Sequence, residues 1–286
     1  MNLLRETVKD ALAAYRTATS CLRLLPNFLI IGAARSGTTS LYNYLVQHPG
    51  IAPALRKEIH FFDYNYQRGF SWYRGQFSAL PSMYYRQAIH RQTIITGEAS
   101  PYYLFHPYVP QRVAQLLPEI KLIALLRNPI ERAFSHYCWE VDWGNEPLSF
   151  EDALEQEENR MREGIQTLEY GKSFHHLHFS YISRGCYAEQ LERWFTRFPR
   201  EQILIIKSED MYNNPVALFA QTLDFLRIPG STIEIDNFKS SFKLYNGQKS
   251  HQHKTMLPAT RQLLAERFQP HNERLYTLLE RDFGWT

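Results

Sequence analysis

The chain has 286 residues, 44% of them hydrophobic and 14% aromatic, enough to bury a sizeable core within a single α/β domain. Its formal net charge of +3 suits an anionic ligand but falls far short of a dedicated nucleic-acid binder. Cys21, Cys138 and Cys186 stand at wide, unrelated spacings, which argues against a disulfide framework or a zinc site and for a reducing, cytoplasmic setting.

Residues 1–25 carry charges at Arg5, Glu6, Lys9, Asp10, Arg16 and Arg23, so they hold no apolar run able to cross a bilayer. The spacing of Leu3, Leu4, Val8, Leu12 and Tyr15 predicts an amphipathic helix, which either packs on its own domain or associates weakly with a membrane surface. No linker or fixed-period repeat interrupts residues 26–286, so one continuous domain is expected there.

Phe28 to Ile31 (FLII) reads as a strand ending at Gly32, followed by a small-residue loop from Ala33 to Gly37. A helix then starts at Thr38 or Thr39 and carries Leu41, Tyr44 and Leu45 on one face as far as the HPG stop at His48 to Gly50. Further strands are expected at Thr93 to Thr96, Leu122 to Leu126 and Ile203 to Ile206. Helical patterns flank them at Val109 to Leu117, Ile130 to Trp139, Tyr187 to Phe198 and Pro215 to Leu226, and two more helices are expected at Pro258 to Phe268 and His271 to Phe283. This alternation predicts an α/β fold of the P-loop type, a central parallel sheet flanked by helices on both faces. Residues 145–183, an acidic helix (Phe150 to Glu158) followed by a His- and aromatic-rich stretch, read as a substrate-side insertion. His175, His176 and His178 lack matching carboxylate or cysteine spacing and read as a polar loop rather than a metal site.

The loop GAARSGTT (Gly32 to Thr39) lies between a strand and a helix, where backbone N–H groups and the helix dipole favour a phosphate. Small residues at Ala33, Ala34, Ser36 and Gly37 let the backbone wrap an anion closely, and Thr38, Thr39 and Ser40 add hydroxyl donors. A kinase or NTPase P-loop would need a Lys where Thr38 stands, and the LIALL strand ends in Arg127 rather than in an Asp able to hold Mg²⁺. A P-loop kinase or NTPase is thereby disfavoured, and a noncatalytic polyanion-binding protein using the same basic residues is the other alternative.

PNFLIIGAARSGTTSLYNYLVQHP resembles the 5′-phosphosulfate loop of the sulfotransferases that use PAPS (3′-phosphoadenosine 5′-phosphosulfate). LIALLRNPIERAFSHY resembles their 3′-phosphate motif, with Ser135 eight residues after Arg127. KEIHFFD (Lys57 to Asp63) is similar to a segment of the heparan sulfate sulfotransferases, and GFSWY, GEASPYY, YAEQLERWFTRFP and DFGW continue the likeness from about Pro26 onward. The resemblance implies sulfuryl transfer to a hydroxyl or amine, on a carbohydrate by preference, with PAP as product and no metal. It places Arg35 at the bridging oxygen and sulfuryl group, and Ser36, Gly37, Thr38, Thr39 and Ser40 around the 5′-phosphate. Arg127 and Ser135 are implied for the 3′-phosphate, with Lys249 or Lys254 closing over it.

Glu58 matches the general base of the heparan 3-O-sulfotransferases, and a neighbourhood of Ile59 and Phe61 would be expected to raise its pKa. His60, on the same face if the segment is extended, either orients Glu58 or serves as the base itself. Ala99 stands where those enzymes carry a Lys, and no cysteine-bridged loop occurs in Tyr245 to Pro258, which bears on heparan specificity more than on donor binding. Tyr64, Tyr66, Trp72, Tyr73, Tyr102 and Tyr103 could stack on sugar rings or fill the core, and Arg56, Arg68 and Arg74 could meet an anionic glycan.

Overall fold

Five short segments align as one parallel sheet in a computed structural model that describes residues 2–91, 93–168, 171–228 and 255–285. The strands are β1 (Phe28–Gly32), β2 (Ile51–Pro53), β3 (Ile95–Ala99), β4 (Lys121–Leu126) and β5 (Ile203–Lys207), ordered β2-β3-β1-β4-β5. Every pairing is parallel, so all five carboxyl ends point the same way. In such sheets ligands bind beyond those ends, where the strand order reverses, here beside β1.

Among the described residues the first helices in chain order are α1 (Asn2–Ala18), α2 (Thr38–Leu45), α3 (Phe70–Arg74), α4 (Leu80–His90), α5 (Val109–Leu116) and α6 (Pro129–Asp142). They are followed by α7 (Phe150–Thr167), α8 (Phe174–His178), α9 (Tyr187–Phe195), α10 (Ser208–Asn213), α11 (Pro215–Leu226) and α12 (Pro258–Leu279). The two-residue period of β1 divides the core. Leu29 and Ile31 pack with Leu122, Leu126, Val113 and Trp194 on one face, while Phe28 and Ile30 pack with Leu41, Leu45, Ile123 and Leu223 on the other. Helices therefore cover both faces, as the apolar runs predict.

Several elements differ from the sequence expectation. β2 was not anticipated because it is three residues long and ends in Pro53, which an edge strand tolerates. β3 starts two residues into the TIIT run and continues past it to Ala99, because its register with β1 pairs Leu29 with Glu98 and Ile30 with Ala99. The tail is one helix with Pro270 inside it rather than two: Leu264 and Phe268 on one side of the proline and Leu275 on the other are all buried, so packing carries the helix across the missing amide. α1 forms, and Arg16 at its end donates to the carbonyls of Gly75 and Phe77 at 2.7 and 3.0 Å. Val8, Leu12 and Tyr15, however, remain exposed.

Candidate active site

The turn leaving β1 is shaped by Gly37, which caps α2 at φ 89°, a left-handed conformation that favours glycine. A Cβ there would also collide with Met211 Cε. Ser36, Thr38 and Ser40 are buried in the turn. Ser36 accepts from Ser208 Oγ through its carbonyl at 2.8 Å, while its own buried Oγ has no partner. An orphaned hydroxyl in a turn that opens a helix fits an anion that the turn would wrap.

The strand next to it brings the second basic motif onto the same turn. Arg127 follows β4 and donates from Nη1 to the carbonyl of Arg35 at 3.1 Å. Arg35, itself left-handed at φ 70°, donates from Nε to Ser135 Oγ at 3.2 Å, and its guanidinium lies 4.6 Å from the centre of the Trp139 ring. Ser135 and Trp139 are one turn apart on α6, so both face the loop. Tyr187 donates to the Arg127 carbonyl at 2.8 Å, and Glu209 accepts from the Asn128 amide at 2.9 Å, which fixes the strand end. Arg132, fully buried on α6, has no partner for Nε or Nη1. Burial, then the neighbouring charges of Arg127 and Arg132, holds the Arg35 pKa below the usual arginine range. Cations crowded in this way suit a multiply charged anion.

Glu58 and His60 lie in the segment that follows β2 and is hydrogen-bonded to the end of β3. The segment is not extended: Glu58 and His60 adopt φ of 60° and 54° on either side of Ile59, which is fully buried. Two left-handed non-glycine residues cost on the order of 1 kcal/mol or more each. Anchors offset that cost, since Glu58 donates its amide to the Ala99 carbonyl at 3.0 Å and His60 donates its amide to Ser100 Oγ at 3.1 Å. Ser100 in turn donates to Glu98 at 2.7 Å, and Tyr103 and Tyr73 donate to the same buried carboxylate at 2.9 and 3.2 Å. The backbone of Ser100 bonds to Ile30 of β1, so the Glu58 segment, which leaves β2 and is bonded to the end of β3, lies beside the strand that carries the anion loop.

His60 Nδ1 lies 2.6 Å from the buried Asp63 carboxylate and Nε2 lies 3.6 Å from Glu58 Oε2, while Lys57 pairs with the other Glu58 oxygen. Burial pushes the Glu58 pKa up, but His60 and Lys57 outweigh it and hold the carboxyl at about 2. This reverses the upward shift expected from Ile59 and Phe61. Burial lowers the His60 pKa, yet Asp63 and Glu58 raise it to about 9. At neutral pH the pair is a carboxylate beside an imidazolium.

A family model described as the sulfotransferase domain matches residues 25–271. The chain belongs to the sulfotransferase family. It is 31% identical to the membrane-associated sulfotransferase kil1 of Dictyostelium discoideum, over 92% of this chain and 67% of that protein. It is 29% identical to human heparan sulfate glucosamine 3-O-sulfotransferase 6, over 92% of this chain and 74% of that one. The crystal structure of a sulfotransferase from Alicyclobacillus acidocaldarius superposes with a TM-score of 0.66 at 32% identity, covering 91% of this chain and 98% of that one. The sulfotransferase is PAPS-dependent, with PAP as product.

Within this sulfotransferase, Arg35, Ser36, Gly37, Thr38, Thr39, Ser40, Arg127 and Ser135 form one group, and Glu58 and His60 lie at the adjacent strand end. Lys249 and Lys254 lie outside the described residues. Tyr73, Tyr102, Tyr103 and Trp72 are core, whereas Tyr64 and Tyr66 are half-buried. Arg74 serves the fold by donating to the carbonyls of Arg23 and Cys21. The three histidines of α8 diverge, His175 to Glu163, His176 to Tyr102 and His178 to Glu140. No group of three or more His, Cys, Asp or Glu among the described residues could hold a metal. Nor is any helix among them long and apolar enough to cross a membrane. Sequence reasoning did not single out Asp63, Trp139 or Glu98 for the site. For Asp63 a signal existed in its position three residues after His60, but for Trp139 only the fold supplies one.

Proposed function

We propose that this sulfotransferase moves the sulfuryl group of PAPS to a hydroxyl or amine of a carbohydrate, with Glu58 taking the acceptor's proton. The observation that carries the donor geometry is the contact chain from Arg127 through the Arg35 carbonyl to Ser135, which joins the two motifs into one anion site. In the in-line displacement the acceptor oxygen bonds to sulfur as the bond to the bridging oxygen breaks, and the electron pair remains on the 5′-phosphate of PAP. Amides and hydroxyls from Ser36 to Ser40 are preorganised for that charge, which is how electrostatic catalysis gains its rate. The upward shift of the His60 pKa to about 9, caused by Asp63 and Glu58 against the lowering effect of burial, favours an imidazolium at neutral pH and so supports Glu58 as the base. His60 instead orients the Glu58 carboxylate, with Asp63 fixing its ring.

A carbohydrate acceptor is supported by the acceptors named for the heparan sulfate relatives and by the surroundings of Glu58. Tyr64 stacks on His60 at 4.6 Å, and Lys172, from the 145–183 insertion, lies 5.5 Å from the Tyr64 ring centre. Arg56 and Arg68 sit over Trp72 at 5.6 and 4.4 Å. The same reading takes residues 26–286 as one domain. It puts the chain in the cytoplasm with no nucleic-acid partner, consistent with its modest charge, and includes weak membrane-surface association through the exposed stripe of α1. Calorimetry with PAP tests the donor site: binding without Mg²⁺, weakened about tenfold or more by Arg127→Ala, is expected. Labelled PAPS offered with carbohydrate, phenol and lipid acceptors tests the rest. Label reaching only phenols or lipids would overturn the carbohydrate assignment.

A further inference from the structure

Of the sixteen large apolar side chains exposed among the described residues, eight belong to two stretches, 8–25 and 84–89. Surface apolar residues scattered singly need no partner, but a concentration on adjoining elements marks an interaction face. The two stretches do adjoin. Arg16 at the end of α1 donates to the carbonyls of Gly75 and Phe77, Leu24 donates its amide to the Ser78 carbonyl at 2.9 Å, Arg23 bridges to Ala79, and α4 begins at Leu80. Resting on the surface-association reading of α1 and extending it to a second helix, we propose that α4 and α1 together form a docking face for an anionic lipid surface. Tyr84, Tyr85 and Ile89 enter the headgroup layer, and Arg86 and Arg91 meet lipid phosphates.

α4 is amphipathic in the sense such docking needs. Leu80 and Met83 pack against the core, while Tyr84, Tyr85 and Ile89 stand 62%, 70% and 56% exposed. Tyrosine favours a membrane interface because its ring is apolar and its hydroxyl stays wet. α1 offers Val8, Leu12 and Tyr15, and every residue from Glu6 to Tyr15 is exposed, so its own domain does not cover that length. A helix this short gains little stability in water until something packs on it. Charge identifies what does. Residues 11–57 and 64–97 contain no Asp or Glu, and among the described residues neither Arg86 nor Arg91 has an acidic partner. A second copy of the chain docked by the same face would set this positive surface against itself, whereas an anionic leaflet complements it. No helix among those described could cross the bilayer, so the contact lies at the surface. The face continues to the acceptor side, since Leu55 donates its amide to the Gln76 carbonyl at 2.8 Å and Glu58 follows three residues later.

The test is co-sedimentation of the whole chain with vesicles of phosphatidylcholine alone or mixed with phosphatidylserine. Binding to the mixed vesicles, weakened by added salt and much lower on phosphatidylcholine alone, is expected. Tyr84→Ser with Tyr85→Ser should weaken it by about tenfold or more, and Arg86→Gln with Arg91→Gln by about tenfold to thirtyfold. Unchanged thermal unfolding midpoints certify that these surface variants are folded. Val8→Ser with Leu12→Ser probes α1 separately. If that pair loses binding while both α4 variants bind like the parent chain, the α4 assignment is overturned and the α1 reading stands; the reverse pattern leaves α4 and removes α1. A parent chain that ignores both vesicles overturns the two readings together. Equal binding to both vesicle types, or a concentration-dependent dimer in sedimentation velocity that the α4 tyrosine variant abolishes, would overturn the anionic lipid as the occupant.

Discussion

Replacing Asp63 with Asn should flatten the stability of this enzyme between pH 7.5 and 9. His60 Nδ1 lies 2.6 Å from Asp63 Oδ2, the aspartate side chain is fully buried, and the imidazole is 12% exposed, so solvent screens the pair poorly. The His60 pKa rises from 6.5 to about 9 on folding, and burial opposes that rise, so the carboxylates of Asp63 and Glu58 must supply it. A raised folded-state pKa stabilises fully below the unfolded value and loses that contribution as pH climbs through the folded value. Linkage across this interval gives roughly 1.5 kcal/mol of His60-dependent stability lost between pH 7.5 and 9. His106 and His136 are shifted the other way, to about 4 and about 3, so they are neutral in both states above pH 7.5 and do not obscure the window. Urea titrations at the two pH values should show the full slope in the parent chain and most of it gone in Asp63→Asn. Asn keeps a hydrogen-bond acceptor without the charge, so the fold should survive. Identical slopes in the two proteins would refute the electrostatic coupling.

Two further changes probe the turn and the base. Gly37→Ala combines a left-handed φ with a clash at Met211 Cε and should cost about 1–3 kcal/mol, as measured by thermal or urea unfolding. A Met211→Ala background should recover the clash but not the backbone strain. Glu58→Gln should lower kcat by about a hundredfold to ten-thousandfold while leaving PAP affinity within a factor of about two, because it removes a proton acceptor and no donor contact. Full turnover in that variant would exclude Glu58 as the base.

Much of the anion loop was legible because its chemistry is consecutive in the chain. A buried strand, a glycine that must turn left-handed and a run of hydroxyls opening a helix occupy Phe28 to Ser40, and local backbone geometry is enough to place them together. The α/β architecture followed for the same reason, from apolar runs alternating with helical periods. The boundaries of β3 and α12 did not, because strand register and burial on both sides of Pro270 override local propensity.

The charge state of the base and the direction of Arg35 were decided only in three dimensions. Apolar neighbours suggested a raised Glu58 pKa, yet two left-handed residues bring His60 beside Glu58, and Lys57 joins it to pull the pKa down. Arg35 reaches Ser135 across one hundred residues of sequence. Residue type and order therefore determine what chemistry this chain can offer. The partner each charged group meets depends on close contacts set by packing, because electrostatic and hydrogen-bond energies change steeply over a few ångströms.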